Sequence, residues 1–400
     1  MSPYVLDWVN LLLRFAHVVV AIAWIGASFY FVFLDNSLTP PEDADVKAKG
    51  VDGELWAVHG GGFYHPQKYL VAPPRIPQNL HWFYWESYST WLTGFALFSV
   101  MYLYQADSFL IDKRVHDWTP AAAGATTLAF LAVFWLAYDS ICRVWGQRRH
   151  GERIVSVLVF ALIVLASWLA CRWYAGRAAF VLVGAMMATA MSANVFFWII
   201  PGQRKVIAQM RAGEPVGALH GQRAKQRSVH NTYFTLPVLV AMLSNHYGFL
   251  YGAPRNWLVL VLVMGAGALI RHFFVARHQA LVQRRAPPWG TAAAGCIIIA
   301  GVVAWLAPTR QAATATPASV SFAQVQQVVS QRCVQCHNEQ LANKNIQLHT
   351  PALIAAHAQQ IYQQAVLQKT MPLNNVTQIT DAERATLARW YEQGALSTVH

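Results

Sequence analysis

Through the first three hundred residues, apolar positions come in long runs and polar positions collect between them. Eight runs, near 9–34, 82–105, 119–141, 154–174, 178–200, 232–252, 256–275 and 289–307, each suffice to cross a bilayer as a helix, which takes about 20 residues. The sixth is the weakest, because it carries Pro237 and His246. The first is not read as a cleaved leader: MSPYVLDW lacks a basic start, the apolar run is too long, and no convincing A-x-A site follows.

The pattern changes after the eighth run. APTRQAATATPASVS reads as a linker over 308–318, and 319–400 as a small soluble domain. Within it SFAQVQQVVSQR has helical spacing. TDAERATLARWYEQGA opens with a capping box, Thr380 and Glu383, and closes at Gly394.

Composition supports the membrane reading. Apolar residues make up 56% of the chain and charged residues only 12%, outside the range of a soluble domain. The net charge of +12 is topological and does not point to nucleic acid. The odd-numbered connections (35–81, 142–153, 201–231 and the basic end of the seventh run) hold eighteen Lys or Arg, against five in the even-numbered ones with Arg172 at the end of the fourth run included. By the positive-inside rule both termini face away from the cytoplasm, in a multi-pass protein of the bacterial inner membrane.

Five cysteines are too few for a disulfide framework; Cys142, Cys171 and Cys296 lie in or beside apolar runs as packing residues. Cys333, Cys336 and His337 spell C-x-x-C-H, the attachment signal of a covalent haem c. Two thiols one turn apart form thioethers to one porphyrin, and His337 then meets the iron. Met371, in KTMPL, follows the last apolar run and is the candidate sixth ligand. The predicted fold is therefore all-α: an eight-helix transmembrane bundle over 1–307, then a class I-like cytochrome c domain on the periplasmic side.

Ionisable residues inside apolar runs are costly and usually functional. His17, in the first run, is either a neutral imidazole bonded to a neighbouring helix or an axial ligand of a b-type haem, with Gly26 allowing close approach. His81, Glu86, His230, Asn231 and His272 gather toward the cytoplasmic face; His246 lies opposite. The loop 35–81 is long, shows no clear element and is rich in Gly, Pro, His and aromatics, as either a functional loop or an interfacial aromatic belt. Gly60 to Gly62 permit tight turns there, and Lys68 and Arg75 offer charge to an anion. No Walker loop, dinucleotide fingerprint, H-E-x-x-H or G-x-S-x-G stands in a convincing context, which argues against a nicotinamide or flavin enzyme.

The first run, the GGGFYHPQKY loop leading into LHWFYWESYSTWLTG, the eight spans and the terminal C-x-x-C-H with TMPL together resemble the bacterial membrane-bound urate oxidases, or urate hydroxylases. The resemblance implies that urate and water give 5-hydroxyisourate in purine degradation, with electrons passed to cytochrome c and no hydrogen peroxide. It implies haem-binding roles for Cys333, Cys336, His337 and Met371. His81, Glu86 and His230 are then candidates for base and proton relay, with Arg75 or Lys68 neutralising charge. A soluble cytochrome c or terminal oxidase would take the electrons onward. Two rivals remain: a membrane-anchored cytochrome serving a separate dehydrogenase, and a copper-handling transporter.

Overall fold

A computed structural model describes residues 3–69, 73, 76–307, 320–342, 346–367 and 369–395. The 308–318 linker and Arg75 lie outside the described residues.

Each expected run holds a helix: α1 (Pro3–Ser37), α2 (Trp85–Phe98), α3 (Pro120–Trp145), α4 (Gly151–Trp173), α5 (Gly176–Ala212), α6 (Ala218–Leu243), α7 (Asn256–Val282) and α8 (Trp289–Leu306). Six of them, all but α2 and α6, are long and apolar enough to cross a membrane. The exceptions have physical causes. The α-helical part of α2 stops after 14 residues, where a π turn, Ser99–Leu103, takes over. The α6 helix starts 14 residues before the expected run, and its first half carries Arg223, Lys225 and Arg227.

Local chemistry sets several ends. Thr119 caps α3 by accepting the Ala122 N–H, and Pro120 fills the first turn, where its missing N–H costs nothing. Inside α5, Pro201 cannot donate to the preceding turn, and a π turn at Val195–Ile199 absorbs the mismatch.

At the centre lies α5, with 67% of its apolar window buried, against none for α1. Around it pack α2, α3, α4 and α6; α7 joins α6, α4, α1 and α8. Chains of exposed apolar residues such as Ile297 and Val303 face outward from α8, as a helix bathed in lipid requires.

The connection after α1 is built where no element was expected. Two short hairpins nest there: β1 (Val51–Glu54) pairs with β4 (Gln67–Tyr69), and β2 (Ala57–His59) with β3 (Gly62–Tyr64). Gly60 and Gly61 make the two-residue turn with positive φ at both positions, which glycine adopts freely. Lys68 pairs with Asp35, so its charge is already engaged.

A second, separate apolar core lies C-terminal, formed by α9 (Phe322–Arg332), α10 (Asp381–Glu392) and the segments between. Val325, Val329, Leu387 and Trp390 are its centre. Capping boxes start both helices, Ser321 with Gln324 and Thr380 with Glu383, and Gly394 ends the second at φ +92°. The Leu373–Asn375 turn of this unit rests against Ala106–Phe109 of the bundle.

Candidate functional site

The densest buried polar network joins α3, α5 and α6. Asp139, inside the third apolar run, accepts Arg227 Nη2 at 2.7 Å, Trp198 Nε1 at 2.7 Å and Arg143 Nε at 2.6 Å. Arg227 also lies over the Tyr138 and Trp198 rings. Asn194 Nδ2 donates to the Tyr138 hydroxyl and to Asn231 Oδ1, both at 2.9 Å.

His230 completes the network, with Nδ1 2.8 Å from the Tyr138 hydroxyl. That oxygen accepts from Asn194 and has one lone pair and one proton left, so it can meet Nδ1 as acceptor or donor. His230 is bonded to α3 through Tyr138 in either tautomer. It lines a cavity of about 760 Å³ between α4, α6 and α7. Gln222, Lys225 and Gln226 form a polar part of the lining, and Met187, Phe234 and Met264 an apolar part.

A second cleft, of about 440 Å³, lies between α1 and α7 and is lined by Phe29, Tyr30, Val32, Phe33, Arg271, Phe274 and His278. Beside Arg271, His272 turns the other way, its Nδ1 2.7 Å from the Tyr233 hydroxyl of the larger cavity. Residues of α7 thus line both cavities.

The other expected residues are dispersed. His81 is exposed, edge-on to Phe83 at 4.5 Å. Glu86 opens α2, and its Oε2 is buried without a partner. Among the described residues no hydrogen bond or ring contact links His81, Glu86 and His230. His17 lies against α2, Nδ1 3.1 Å from Thr93 Oγ1. That hydroxyl donates to the Ser89 carbonyl at 2.7 Å, so it accepts from Nδ1–H, and Nε2 keeps its lone pair. The close approach is made by Gly94, where an added Cβ would stand 2.8 Å from His17 Cε1; nothing lies within 4 Å of a Cβ at Gly26.

In the C-terminal unit the C-x-x-C-H turn leaves α9 directly. The N–H groups of Cys336 and His337 both reach the Cys333 carbonyl, which winds both thiols and the imidazole onto one turn. His337 Nδ1 donates to the Ile346 carbonyl at 3.1 Å, leaving the Nε2 lone pair for a metal. Across the unit, Met371 N–H donates to the Gln364 carbonyl, and Arg384 Nη1 holds the Met371 carbonyl at 2.8 Å.

Asp139, Arg227, Tyr138, Asn194 and Arg271 were not singled out from the sequence. The signal available was an acidic residue in FWLAYDSIC and an arginine in GALIRHFF, each within an apolar run.

The family model described as urate oxidase N-terminal matches residues 3–307, the whole of the helical bundle, and ends before the C-terminal unit. Comparisons with curated proteins and with solved structures return no match.

Proposed function

The chain belongs to the urate oxidase N-terminal family, and from that premise we propose that it is a membrane-bound urate oxidoreductase that hands electrons to its own haem c unit. The family match carries the reading. In the proposed reaction a urate monoanion and one water give neutral 5-hydroxyisourate, one proton and two electrons. Oxygen is not the acceptor, so no peroxide forms.

The C-terminal unit fits haem c. Two free thiols stand on one turn, His337 offers Nε2, and the Met371 backbone is pinned from two sides. When bound, haem c supplies one-electron acceptance, so the two electrons leave in succession to a downstream cytochrome or oxidase.

An aromatic column supports a route between the units. Trp91 stacks on Phe95 at 5.2 Å and Phe98 on Tyr102 at 5.0 Å; Phe109 meets Tyr102 at 6.2 Å. Phe109 belongs to the segment that touches the Leu373–Asn375 turn, just past Met371. The basic ends of the bundle are cytoplasmic in this reading, and the haem unit periplasmic. His17 Nε2 remains the nitrogen a b-type haem would need; a pyridine haemochrome spectrum showing only c-type haem would remove that haem.

His230, hydrogen-bonded to Tyr138, serves as relay through it. Glu86, acceptor-only when ionised and with Oε2 buried, is a candidate for base. Adding urate to anaerobic membranes should reduce the c-type haem and yield no peroxide. A haem that stays oxidised would reject the enzyme and favour a cytochrome serving a separate dehydrogenase.

A further inference from the structure

Among the described residues the buried charged side chains are Glu54, Asp112, Asp139, Arg227, Arg271 and Arg384. Five have strong partners. Glu54 meets His65, Asp112 meets Arg114, Asp139 meets Arg227 and Arg143, and Arg384 reaches two carbonyls. Arg271 does not. It is 2% exposed, its Nε makes a long 3.4 Å bond to the Thr232 carbonyl, and its Nη2 is buried with no partner. A guanidinium cannot escape this by losing its proton. A buried cation without a countercharge is a standing demand for an anion.

The surroundings specify which kind. The guanidinium lies over the Phe29 ring at 3.8 Å, a stacked seat that fixes its plane. It borders the cleft of about 440 Å³ between α1 and α7, within the usual range for small-molecule sites. Tyr30, Phe33 and Phe274 supply further rings, and His278, edge-on to Phe33 at 5.1 Å, adds a polar group. An arginine fork set among aromatic rings suits a flat, ring-shaped anion, which can stack and accept two parallel N–H bonds along one edge.

We infer that Arg271 and this aromatic cleft form the recognition site for the planar purine anion, with the guanidinium bonded to its acceptor edge. The identity of the ligand as urate rests on the function proposed above; the demand for an anion does not. Lipid phosphate shares the charge but not the flat ring, and the test separates the two.

Full-length, haem-loaded protein in detergent is titrated with radiolabelled urate after the haem has been reduced, so that binding is read without turnover. Arg271→Gln should weaken urate binding about 10- to 100-fold, the range for loss of one charge-assisted hydrogen bond. The KM for urate should rise in proportion while haem content holds. Arg271→Lys, which keeps the charge but not the fork, should fall between. Unchanged affinity in Arg271→Gln overturns the inference. So does loss of co-purified anionic phospholipid with urate affinity intact, since the cleft would then hold a headgroup. Should Arg271→Gln fail to fold, Phe274→Ala on the exposed wall decides: weaker urate binding supports the site, and unchanged binding rejects it. Wild-type protein that binds urate without reducing its haem would reject the proposed function and leave the site standing.

Discussion

Arg227 on α6 and Arg271 on α7 are equally buried, each 2% exposed, and sit on helices packed side by side. Arg227 is matched by the Asp139 carboxylate at 2.7 Å, with Trp198 and Arg143 completing that carboxylate's shell. Arg271 has one long bond, an aromatic ring and an open cleft. The same side chain at the same depth thus plays opposite parts. Where the protein supplies the anion, arginine ties three helices together. Where it does not, a ligand is needed to complete the site.

The largest expected effect follows from breaking the matched pair. Asp139→Ala leaves Arg227 buried and uncompensated, and should cost about 3–5 kcal/mol of stability. Unfolding in detergent, followed by tryptophan fluorescence, measures this. A loss under about 1 kcal/mol would mean that water or lipid already screens Arg227, and the contrast with Arg271 would collapse.

The unmatched side should respond with the opposite sign. Arg271→Met removes an unsatisfied buried group, so stability should hold or rise by about 1–3 kcal/mol while urate affinity falls. The same unfolding measurement tests it. A loss as large as that of Asp139→Ala would show Arg271 to be a structural residue.

The contrast also explains what the sequence disclosed. Six of the eight expected spans, all but those of α2 and α6, hold helices long and apolar enough to cross a membrane; they were legible because about 20 apolar residues in a row have few other uses. The α6 helix was misplaced, at 232–252 against Ala218–Leu243, because Arg223, Lys225 and Arg227 interrupt its hydropathy. What settles Arg227 inside the bundle is Asp139, 88 positions away, and no sequence window joins the two. His230 could be read as an ionisable group at a helix start, but its place in a network depends on Tyr138 and Asn194 on other helices. Arg271 was overlooked beside His272, since a lone arginine gives no sign of whether a carboxylate awaits it. The hairpins between α1 and α2 escaped because strands of three or four residues are too short for alternation to show.

A third buried arginine lies between the two cases. Arg384 satisfies the Ala365 and Met371 carbonyls and makes no ion pair with a carboxylate among the described residues. Arg384→Ala should cost the C-terminal unit about 1–2 kcal/mol and loosen Met371. In the proposed haem c unit, carbon monoxide should then bind the reduced haem more readily than in wild type, with Met371→Ala as the upper limit. Equal carbon monoxide binding in Arg384→Ala and wild type would detach Arg384 from the proposed sixth ligand.

The smallest effect belongs to a part-exposed pair, Arg332 with Glu383 at 3.0 Å. Burial pushes the Glu383 carboxyl up, but the Thr380 N–H and hydroxyl-capped turn together with Arg332 outweigh it and hold the group below its ordinary value. A carboxyl whose folded value is depressed stabilises the fold above its unfolded value and loses that contribution as pH falls through the folded one. Partial exposure limits the gain to under about 1 kcal/mol. Glu383→Gln should therefore lower the urea midpoint of the C-terminal unit slightly at pH 7, and the gap to wild type should close as pH falls through the folded value, beneath the ordinary glutamate range. A gap that persists at low pH would assign the effect to altered capping geometry at Thr380 and not to charge, and would set this pair apart from Asp139–Arg227, where charge matching is expected to decide stability.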